Sequence, residues 1–273
     1  MEQVTKAEVL AATRAVDDAW PLPAGMEVVE TDDYVLLCQS LHLTSPTSGR
    51  VQVRIRSQRP FSEIRRNVEQ LARGWGTDEV SWWAEGDVVQ AVDDELRAAN
   101  AHLLVSQVVM ARRLGGVDAD AWLAGAGPPG VKAEIVDDEE AFEALVRVET
   151  AGWGRRPPSP QDLAGEWQQL RADLASSSAF ALLGSSDEMP AAVGHCRLFG
   201  SIVRLYGAVT LPEFRRRGLY GSVLAARCRI GRVHGATLAV TKARAGTSEP
   251  ILARVGFGSF GVERCWSLPV TTN

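Results

Sequence analysis

An arginine- and glycine-rich segment near residue 215 constrains the fold of this chain more than any other feature. It reads Arg215-Arg216-Arg217-Gly218-Leu219-Tyr220-Gly221-Ser222 and lies between a predicted strand, Ile202–Thr210, and a predicted helix that continues to about Arg232. A glycine-bearing turn that opens a helix leaves backbone N–H groups unpaired, and the helix dipole adds partial positive charge there. The three arginines add formal charge and forked donors. The segment therefore predicts a binding site for a phosphate or pyrophosphate.

The glycine spacing excludes two common phosphate-binding motifs. No Gly-Lys-Ser/Thr follows a first glycine at the Walker spacing, and Gly218 and Gly221 do not have the G-x-G-x-x-G spacing of a dinucleotide site. A literal G-x-G-x-x-G occurs at residues 256–261, but too few residues follow it for a βαβ unit, so it predicts a turn beside a late strand. A solvated, basic helix start is the alternative interpretation of the arginines, and the strand–turn–helix context favours the anion site.

Charge is distributed unevenly along the 273 residues. Residues 1–130 contain 12 Lys/Arg and 19 Asp/Glu, whereas residues 131–273 contain 17 and 15. The positive balance of the second half fits an anionic ligand, and a nucleic-acid partner would need a broader basic face. Residues 1–8 are too polar for a secretory signal, and no apolar run approaches the roughly 20 residues of a membrane span. We therefore expect no nucleic-acid or membrane partner and a cytoplasmic location.

Cysteine and histidine usage gives no sign of a metal site. The four cysteines, Cys38, Cys196, Cys228 and Cys265, are scattered without a C-x-x-C pair and predict reduced packing residues. Four histidines are spread along the chain, and no metal-ligand spacing or Ser/His/Asp arrangement stands out. We therefore expect no metal ion.

The chain is expected to contain two domains of similar design. A Gly- and Pro-rich segment at residues 115–130 predicts a linker between domains 1–114 and 131–273. The order helix, strand, helix, strand is predicted in both halves, over residues 61–73, 79–84, 92–99 and 102–111, and over residues 220–232, 236–243, 248–255 and 257–268. Such a repeat is typical of a duplicated unit, and an unrelated α/β domain is the alternative. The first copy has no glycine in the turn before its helix, Arg56-Ser57-Gln58-Arg59-Pro60-Phe61.

Two segments resemble the signatures of the GNAT N-acetyltransferase superfamily. Residues 206–221 resemble its acyl-CoA-binding motif, Arg/Gln-x-x-Gly-x-Gly/Ala. Arg215 and Gly218 match the first two fixed positions, and Tyr220 stands at the third, where Gly or Ala is usual. Residues 241–257, a strand and a short helix that ends in Gly-Phe, resemble the second signature. The likeness covers roughly residues 131–270.

The resemblance implies an α/β (α+β) fold of two GNAT-like domains, each a mixed, mostly antiparallel sheet flanked by helices. It implies a first copy that has lost acyl-CoA binding, and a second copy that transfers an acetyl group from acetyl-CoA to a primary amine. It also implies that a strand backbone holds pantetheine and that a turn and helix start hold the pyrophosphate. The implied cofactor-binding residues are Val209, Thr210, Leu211, Arg215, Arg216, Arg217, Gly218, Leu219, Tyr220, Gly221 and Ser222.

The proton-handling residues that are usual in the superfamily are missing. Leu252 stands where many members have a tyrosine acid, and Arg204 where others have a glutamate base. His195, in a predicted strand, is either a base or a packing residue. The other catalytic candidates, with solvated, core-packing and helix-capping roles as alternatives, are Glu149, Tyr206 and Ser248. A non-catalytic acyl-CoA-binding regulatory or scaffold protein is therefore the alternative function.

The amine acceptor is not encoded in any motif. A small amine, an antibiotic, an amino acid and a protein N-terminus all stay open, so the partner is expected to be a small-molecule or peptide amine. The acidic first half is expected to form one wall of the acceptor site or a dimer surface, which makes a homodimer one expected assembly.

Overall fold

One continuous sheet organises the whole chain. The computed structural model describes residues 4–21, 26–44, 49–57, 59–85, 89–125 and 127–271. Within these ranges the strands are β1 Glu27–Glu30, β2 Tyr34–Cys38, β3 Val51–Ile55, β4 Glu79–Glu85, β5 His102–Arg113, β6 Val131–Ile135, β7 Ala179–Ser186, β8 Met189–Phe199, β9 Ile202–Thr210, β10 Leu238–Arg244 and β11 Gly258–Pro269. The helices are α1 Lys6–Asp18, α2 Phe61–Gly74, α3 Val89–Ala98, α4 Val117–Ala124, α5 Glu139–Trp153, α6 Pro160–Ala175, α7 Leu219–Val233 and α8 Ser248–Arg254.

The strand order shows the same arrangement in both halves. The order is β1-β2-β3-β4-β11-β5-β10-β9-β8-β7-β6. β3 pairs in parallel with β4, and β9 pairs in parallel with β10, whereas the other neighbours are antiparallel. The predicted mixed, mostly antiparallel α/β architecture is confirmed.

The two halves exchange their last strands. β5, from the first half, lies between β11 and β10, and β11, from the second half, lies between β4 and β5. The sequence predicted a separate sheet in each half, whereas the described residues form a single sheet of 11 strands. The pairing of β5 with β11 covers an edge of each strand that two separate sheets would leave open.

Side chains of β11 complete the core of the first half. Trp266 and Leu268 are buried in an apolar cluster formed by the first-half strands and by α2 and α3. The indole Nε1 of Trp266 donates a hydrogen bond of 2.7 Å to Asp93, a fully buried carboxylate on α3. Asp93 also pairs with Arg264 of β11, so the buried charge has a cationic partner.

The segment predicted as a linker contains helix α4. Ala119 and Leu123 of this helix are buried, and Leu123 packs in the main core of the second half. Ala126, in the same segment, lies outside the described residues, as does Gln58 in the turn before α2. The domain boundary at residues 115–130 stays a prediction.

Local capping explains where helices α5 and α6 of the second half begin. Asp138 caps α5 by accepting a hydrogen bond from the Ala141 amide, and Ser159 and Asp162 form a capping box at the start of α6. Pro160 occupies the first position of α6, where its missing N–H costs nothing. All four cysteines are buried and free, as their scattered spacing predicted.

The strand exchange predicts that a β11 side chain controls the stability of the first half. We expect Trp266→Ala to lower the free energy of unfolding by about 3–5 kcal/mol, because a large buried side chain is lost. It also removes one hydrogen bond from buried Asp93. Urea unfolding followed by far-UV circular dichroism measures this. Val262→Ala, on the same strand at a position 38% exposed, is the matched control and should cost less than about 1 kcal/mol. Equal effects of the two substitutions would contradict the conclusion that Trp266 of β11 stabilises the core of the first half.

Candidate active site

The arginine turn forms an exposed junction between β9 and α7. A short 3-10 helix, Pro212–Phe214, follows β9, and the Arg215 guanidinium returns a hydrogen bond of 3.2 Å from Nε to the carbonyl oxygen of Thr210. Arg216 and Gly218 have left-handed backbones, with φ of 65° and 87°. Arg215, Arg216 and Arg217 are all exposed. The arginine turn is therefore open to a ligand from solvent.

Gly218 caps the start of α7 with its backbone alone. No side chain among the described residues caps this helix, so the first helical amides have no capping partner. A Cβ at Gly218 would lie 2.4 Å from Cγ of Pro128, in the segment predicted as a linker. The left-handed φ and the close approach of Pro128 both require glycine here.

β9 diverges from β10 just before the arginine turn. Their parallel pairing ends at Leu205 and Thr241, although β9 continues to Thr210. On the other edge of β9, a bulge at Gly207 shifts the register with β8. The backbone edge of residues 206–210 that faces β10 is therefore not paired with it. The resemblance implies that the backbone of this strand holds the pantetheine arm, and that role stays a prediction.

The structure places the predicted cofactor residues in different surroundings. Val209 and Leu211 pack against an apolar cluster that includes side chains of helices α5 and α6. Leu219 is buried in the main core of the second half, so only its backbone faces the turn. Leu211 is already engaged, because its N–H donates to the Ala191 carbonyl and its own carbonyl accepts from the Phe214 amide. The hydroxyl oxygens of Thr210 and Ser222 are buried and have no hydrogen-bond partner among the described residues.

Tyr220 faces the core and does not crowd the turn. Its ring packs against the main core of the second half. Burial raises the pKa of the Tyr220 hydroxyl, although a hydrogen bond with Arg227 opposes the shift. Tyr220 therefore replaces the usual Gly or Ala without filling the turn, because its ring faces the hydrophobic side.

Arg227 is a buried residue whose role was not predicted from the sequence. Its side chain lies under the bulge of β9 and is 2% exposed. Nη1 donates to the carbonyl oxygens of His195 and Tyr206, at 3.2 and 3.3 Å. The available signal was an arginine beside Val223 and Leu224 on the apolar helix α7. Arg227 fixes the backbone on both strands at the bulge.

A cavity of about 740 Å³ lies beside the bulge. Helices α5 and α6 and strands β7, β8 and β9 form most of it, and Trp20, Ser40 and His42 of the first half contribute one wall. Of the catalytic candidates, Glu149, Tyr206 and His195 all line this cavity. The cavity therefore brings together three polar side chains that lie far apart in the sequence.

The cavity polar groups form a connected array. Nε2 of His195 lies 2.8 Å from Oε1 of Glu149, and the imidazole stacks on the Tyr206 ring at 5.3 Å between centroids. Trp20 meets the other side of this array edge-on, 4.7 Å from the Tyr206 ring. Arg197 bonds both oxygens of Asp173, at 3.2 and 2.5 Å. The array positions an imidazole and a carboxylate beside an aromatic wall.

Burial and neighbouring charges set different protonation states for Glu149 and Tyr206. Burial alone raises the pKa of the Glu149 carboxyl, but the adjacent His195 and the charge of Arg155 outweigh it and hold that pKa below its usual range. Burial raises the pKa of Tyr206 to about 12, against an opposing effect of Arg197. At neutral pH Glu149 is therefore ionised and Tyr206 keeps its proton.

An interaction between the two halves closes the cavity wall. His42 of the first half lies 3.0 Å from Glu166 and 3.4 Å from Asp162, both on α6. Burial raises the pKa of Glu166, although the hydrogen bond with His42 opposes the shift. The first half thus contributes to the cavity, and its expected role as a wall of the acceptor site stays a prediction.

Ser248 lies apart from the other candidates. It begins α8, where its Oγ accepts a hydrogen bond of 2.9 Å from the Arg244 amide. It does not line the cavity. This contact is a local turn bond and not the helix cap that the sequence offered as an alternative, because Thr247 is the N-cap residue of α8.

The described residues contain neither a candidate metal site nor a helix that could span a membrane. No group of three or more His, Cys, Asp or Glu side chains there could hold a metal ion. None of the described helices has the length and apolar character that crossing a bilayer requires.

Similar solved structures share this architecture over most of their length. A GCN5-related N-acetyltransferase from Kribbella flavida is 16% identical, covers 98% of this chain and 97% of its own, and has a TM-score of 0.64. One from Sphaerobacter thermophilus is 14% identical, with 96% and 86% covered and a TM-score of 0.64. A tandem GNAT protein from the clavulanic acid biosynthesis pathway is 14% identical, with 92% and 86% covered and a TM-score of 0.59. No protein-family model and no curated protein sequence matches the chain.

The chain has a tandem GNAT fold. Within it, α2 of the first half takes the place that α7 has in the second. The two halves differ at this helix start, because Pro60 caps α2 and Arg59 pairs with Asp33 and Glu63 at 2.7 and 2.8 Å. The parallel pairing of β3 with β4 continues to Arg54, one residue before β3 ends, so the first half lacks the divergence seen at β9.

The left-handed backbone at the start of α7 predicts that alanine substitutions at Gly218 and Gly221 change the free energy of unfolding by different amounts. We expect Gly218→Ala to lower the free energy of unfolding by about 1–3 kcal/mol, since alanine is strained at φ 87° and its Cβ meets Pro128. Gly221→Ala lies inside α7 with open space, so it should leave stability unchanged or raise it by up to about 1 kcal/mol. Urea unfolding of both variants tests this, and an equal cost at the two positions would count against the geometry of the turn.

Proposed function

We propose that this protein is an N-acyltransferase that transfers an acetyl group from acetyl-CoA to a primary amine. The observation that carries the proposal is the juxtaposition, in one GNAT fold, of an exposed arginine turn, a strand opening and a cavity with a carboxylate–imidazole pair. The arginine turn provides positive charge for a diphosphate, and the cavity provides proton-accepting groups for an amine.

The residues present fit coenzyme A. Arg216, Arg217 and the amides that begin α7 would hold the pyrophosphate, because these groups are exposed, positive and not capped by a described side chain. The unpaired edge of β9, at Val209 and Thr210, would hold the pantetheine arm. Acyl-CoA supplies a thioester, from which the acyl group passes to nitrogen as a C–N bond forms, the C–S bond breaks and the amine proton is lost while the thiolate gains one.

Glu149 and His195 form the proposed general base. With Nε2–H of His195 donating to Glu149, the other ring nitrogen carries a lone pair that can accept a proton from the amine, directly or through one water. The ionised carboxylate accepts this hydrogen bond and so orients the imidazole. This assignment gives Glu149 a positioning role and His195 the proton transfer itself.

Tyr206 is the proposed proton donor. A hydroxyl whose pKa is raised to about 12 stays protonated at neutral pH, so it can donate a proton and cannot serve as the base. The ring lies between His195 and Trp20, at the point where β9 leaves β10. The carbonyl of Tyr206 is held by Arg227, so the position of this residue depends on the buried guanidinium.

We also propose that the first half has lost acyl-CoA binding. Asp33 and Glu63 lie at the start of α2, where a phosphate would have to bind, and carboxylates there repel an anion. Pro60 has no N–H to offer, and β3 does not separate from β4 as β9 does from β10. The proposal predicts one acyl-CoA site per chain.

The proposed base predicts a specific loss of turnover. We expect His195→Asn to lower kcat by about 10²–10⁴-fold, the usual contribution of a general base, and Glu149→Gln to lower it by a smaller factor. Thiol release from acetyl-CoA with a panel of primary amines measures this. His234→Asn is the control, because His234 is exposed at the end of α7. If wild type binds acetyl-CoA but acylates no amine in the panel, the non-catalytic alternative replaces this function.

The proposed diphosphate site predicts a salt-dependent loss of affinity. We expect the double variant Arg216→Gln with Arg217→Gln to raise the Kd for coenzyme A about 10-fold or more at low salt, because charge-assisted contacts are lost. Calorimetric titration at two salt concentrations measures it. Arg147→Gln, an exposed position on α5 that pairs with Glu143, should leave the Kd unchanged. An unchanged Kd in the double variant would show that the arginine turn does not bind the cofactor.

A further inference from the structure

Two arginines of the cavity wall have no carboxylate partner among the described residues. Arg155 and Arg156 follow α5 and line the cavity. Within the part of the chain that the structure describes, neither guanidinium lies within 4 Å of an Asp or Glu oxygen, whereas Arg197 in the same cavity is paired with Asp173. Nε of Arg155 is shielded from solvent and has no hydrogen-bond partner among the same residues. A cationic group in this position is complementary to an anion.

The carboxylates of the cavity, in contrast, all have basic neighbours. Glu149 contacts His195, Asp173 contacts Arg197, and Glu166 and Asp162 both lie near His42. The charge of Arg155 acts on Glu149, although the two side chains do not form an ion pair within 4 Å in the described structure. The Arg155 guanidinium, which lies 5.7 Å from the centroid of the Trp153 ring, and the proposed base therefore belong to one cavity.

We propose that the acceptor is a compact amine that carries a carboxylate, such as an α-amino acid, with its carboxylate bound by Arg155 and Arg156. This inference rests on the proposed function, because it assigns the substrate of the same site. The planar guanidinium fork matches a carboxylate in a bidentate manner. The amine of such a molecule lies only two bonds from the carboxylate carbon, which suits a base and an anion site that are close together.

The remaining wall fits an apolar side chain. Trp20, Val146 and Leu170 line the cavity together with the polar groups. Trp20 is held by edge-on contact with Tyr206 and lies 5.9 Å from the Arg197 guanidinium. Concave, mostly apolar sites with a few oriented polar groups are typical of small-molecule binding. An apolar amino acid therefore matches the cavity better than a polyamine, which would bring positive charge beside two unpaired arginines.

The test uses three amines of nearly equal shape: phenylalanine, phenylalanine amide and phenethylamine. Thiol release from acetyl-CoA gives KM and kcat for each, with the full chain. Because the amines differ in basicity, the informative quantity is the ratio of the KM values for phenethylamine and phenylalanine. We expect wild type to favour phenylalanine, and Arg155→Met with Arg156→Met to lower this ratio about 10-fold or more. Arg147→Met, outside the cavity, should leave the ratio unchanged.

A binding measurement separates this inference from the proposed function. Calorimetric titration of phenylalanine and phenethylamine into the protein without acetyl-CoA reports carboxylate recognition directly. If amines are acylated with no preference for the carboxylate, or if the arginine variants change all three alike, the inference is overturned and the proposed function stands. If no amine is acylated, the proposed function falls, and tighter binding of phenylalanine that the arginine variants abolish still supports the anion site. Equal binding of the two ligands overturns it.

Discussion

Strands β5 and β11 pair with each other along the centre of the sheet, and each also pairs with a strand of the opposite half. Both strands run for 12 residues, and their side chains belong to the cores on either side. Neither half can complete its sheet without the other, because removal of β11 takes Trp266 and Leu268 out of the first-half core. The cavity depends on this arrangement, since it fixes the position of Trp20 and His42 over the second half.

A second constraint connects the buried core to the cavity through the bulge in β9. Gly207 has a φ of 56°, and a Cβ there would lie 2.9 Å from Cδ2 of His195. Arg227 holds the carbonyls of His195 and Tyr206 from the opposite face of the sheet. The imidazole therefore rests against a residue without a side chain and on a backbone fixed by a buried cation. This explains how a proposed base on a strand can be held rigidly without a contact from a loop.

The sequence predicted the features that depend on neighbouring residues. The strand, turn and helix around Gly218 follow from glycine, proline and apolar spacing within about 30 residues, and the structure has them in that order. The exchange of β5 and β11 was not predicted. Local sequence patterns indicate that a strand forms, but they do not indicate which neighbouring strand it pairs with. The contact of His195 with Glu149 spans 46 residues of sequence, and that of His42 with Glu166 spans 124. Both depend on tertiary packing.

Tertiary packing also explains why the positions of the catalytic residues that are usual in the superfamily do not identify the proposed proton-transfer groups of this chain. Leu252 is buried in the main core, and Arg204 is buried with partners of its own, so neither position offers a proton-transfer group to the cavity. Proton transfer needs a polar group within reach of the amine, and different strands can supply it. The proton-transfer groups proposed here are His195 on β8, Glu149 on α5 and Tyr206 on β9. Under the proposed function, this fold would keep acyl transfer although the residues that move protons lie at other positions, and the bulge in β9 would hold them in place.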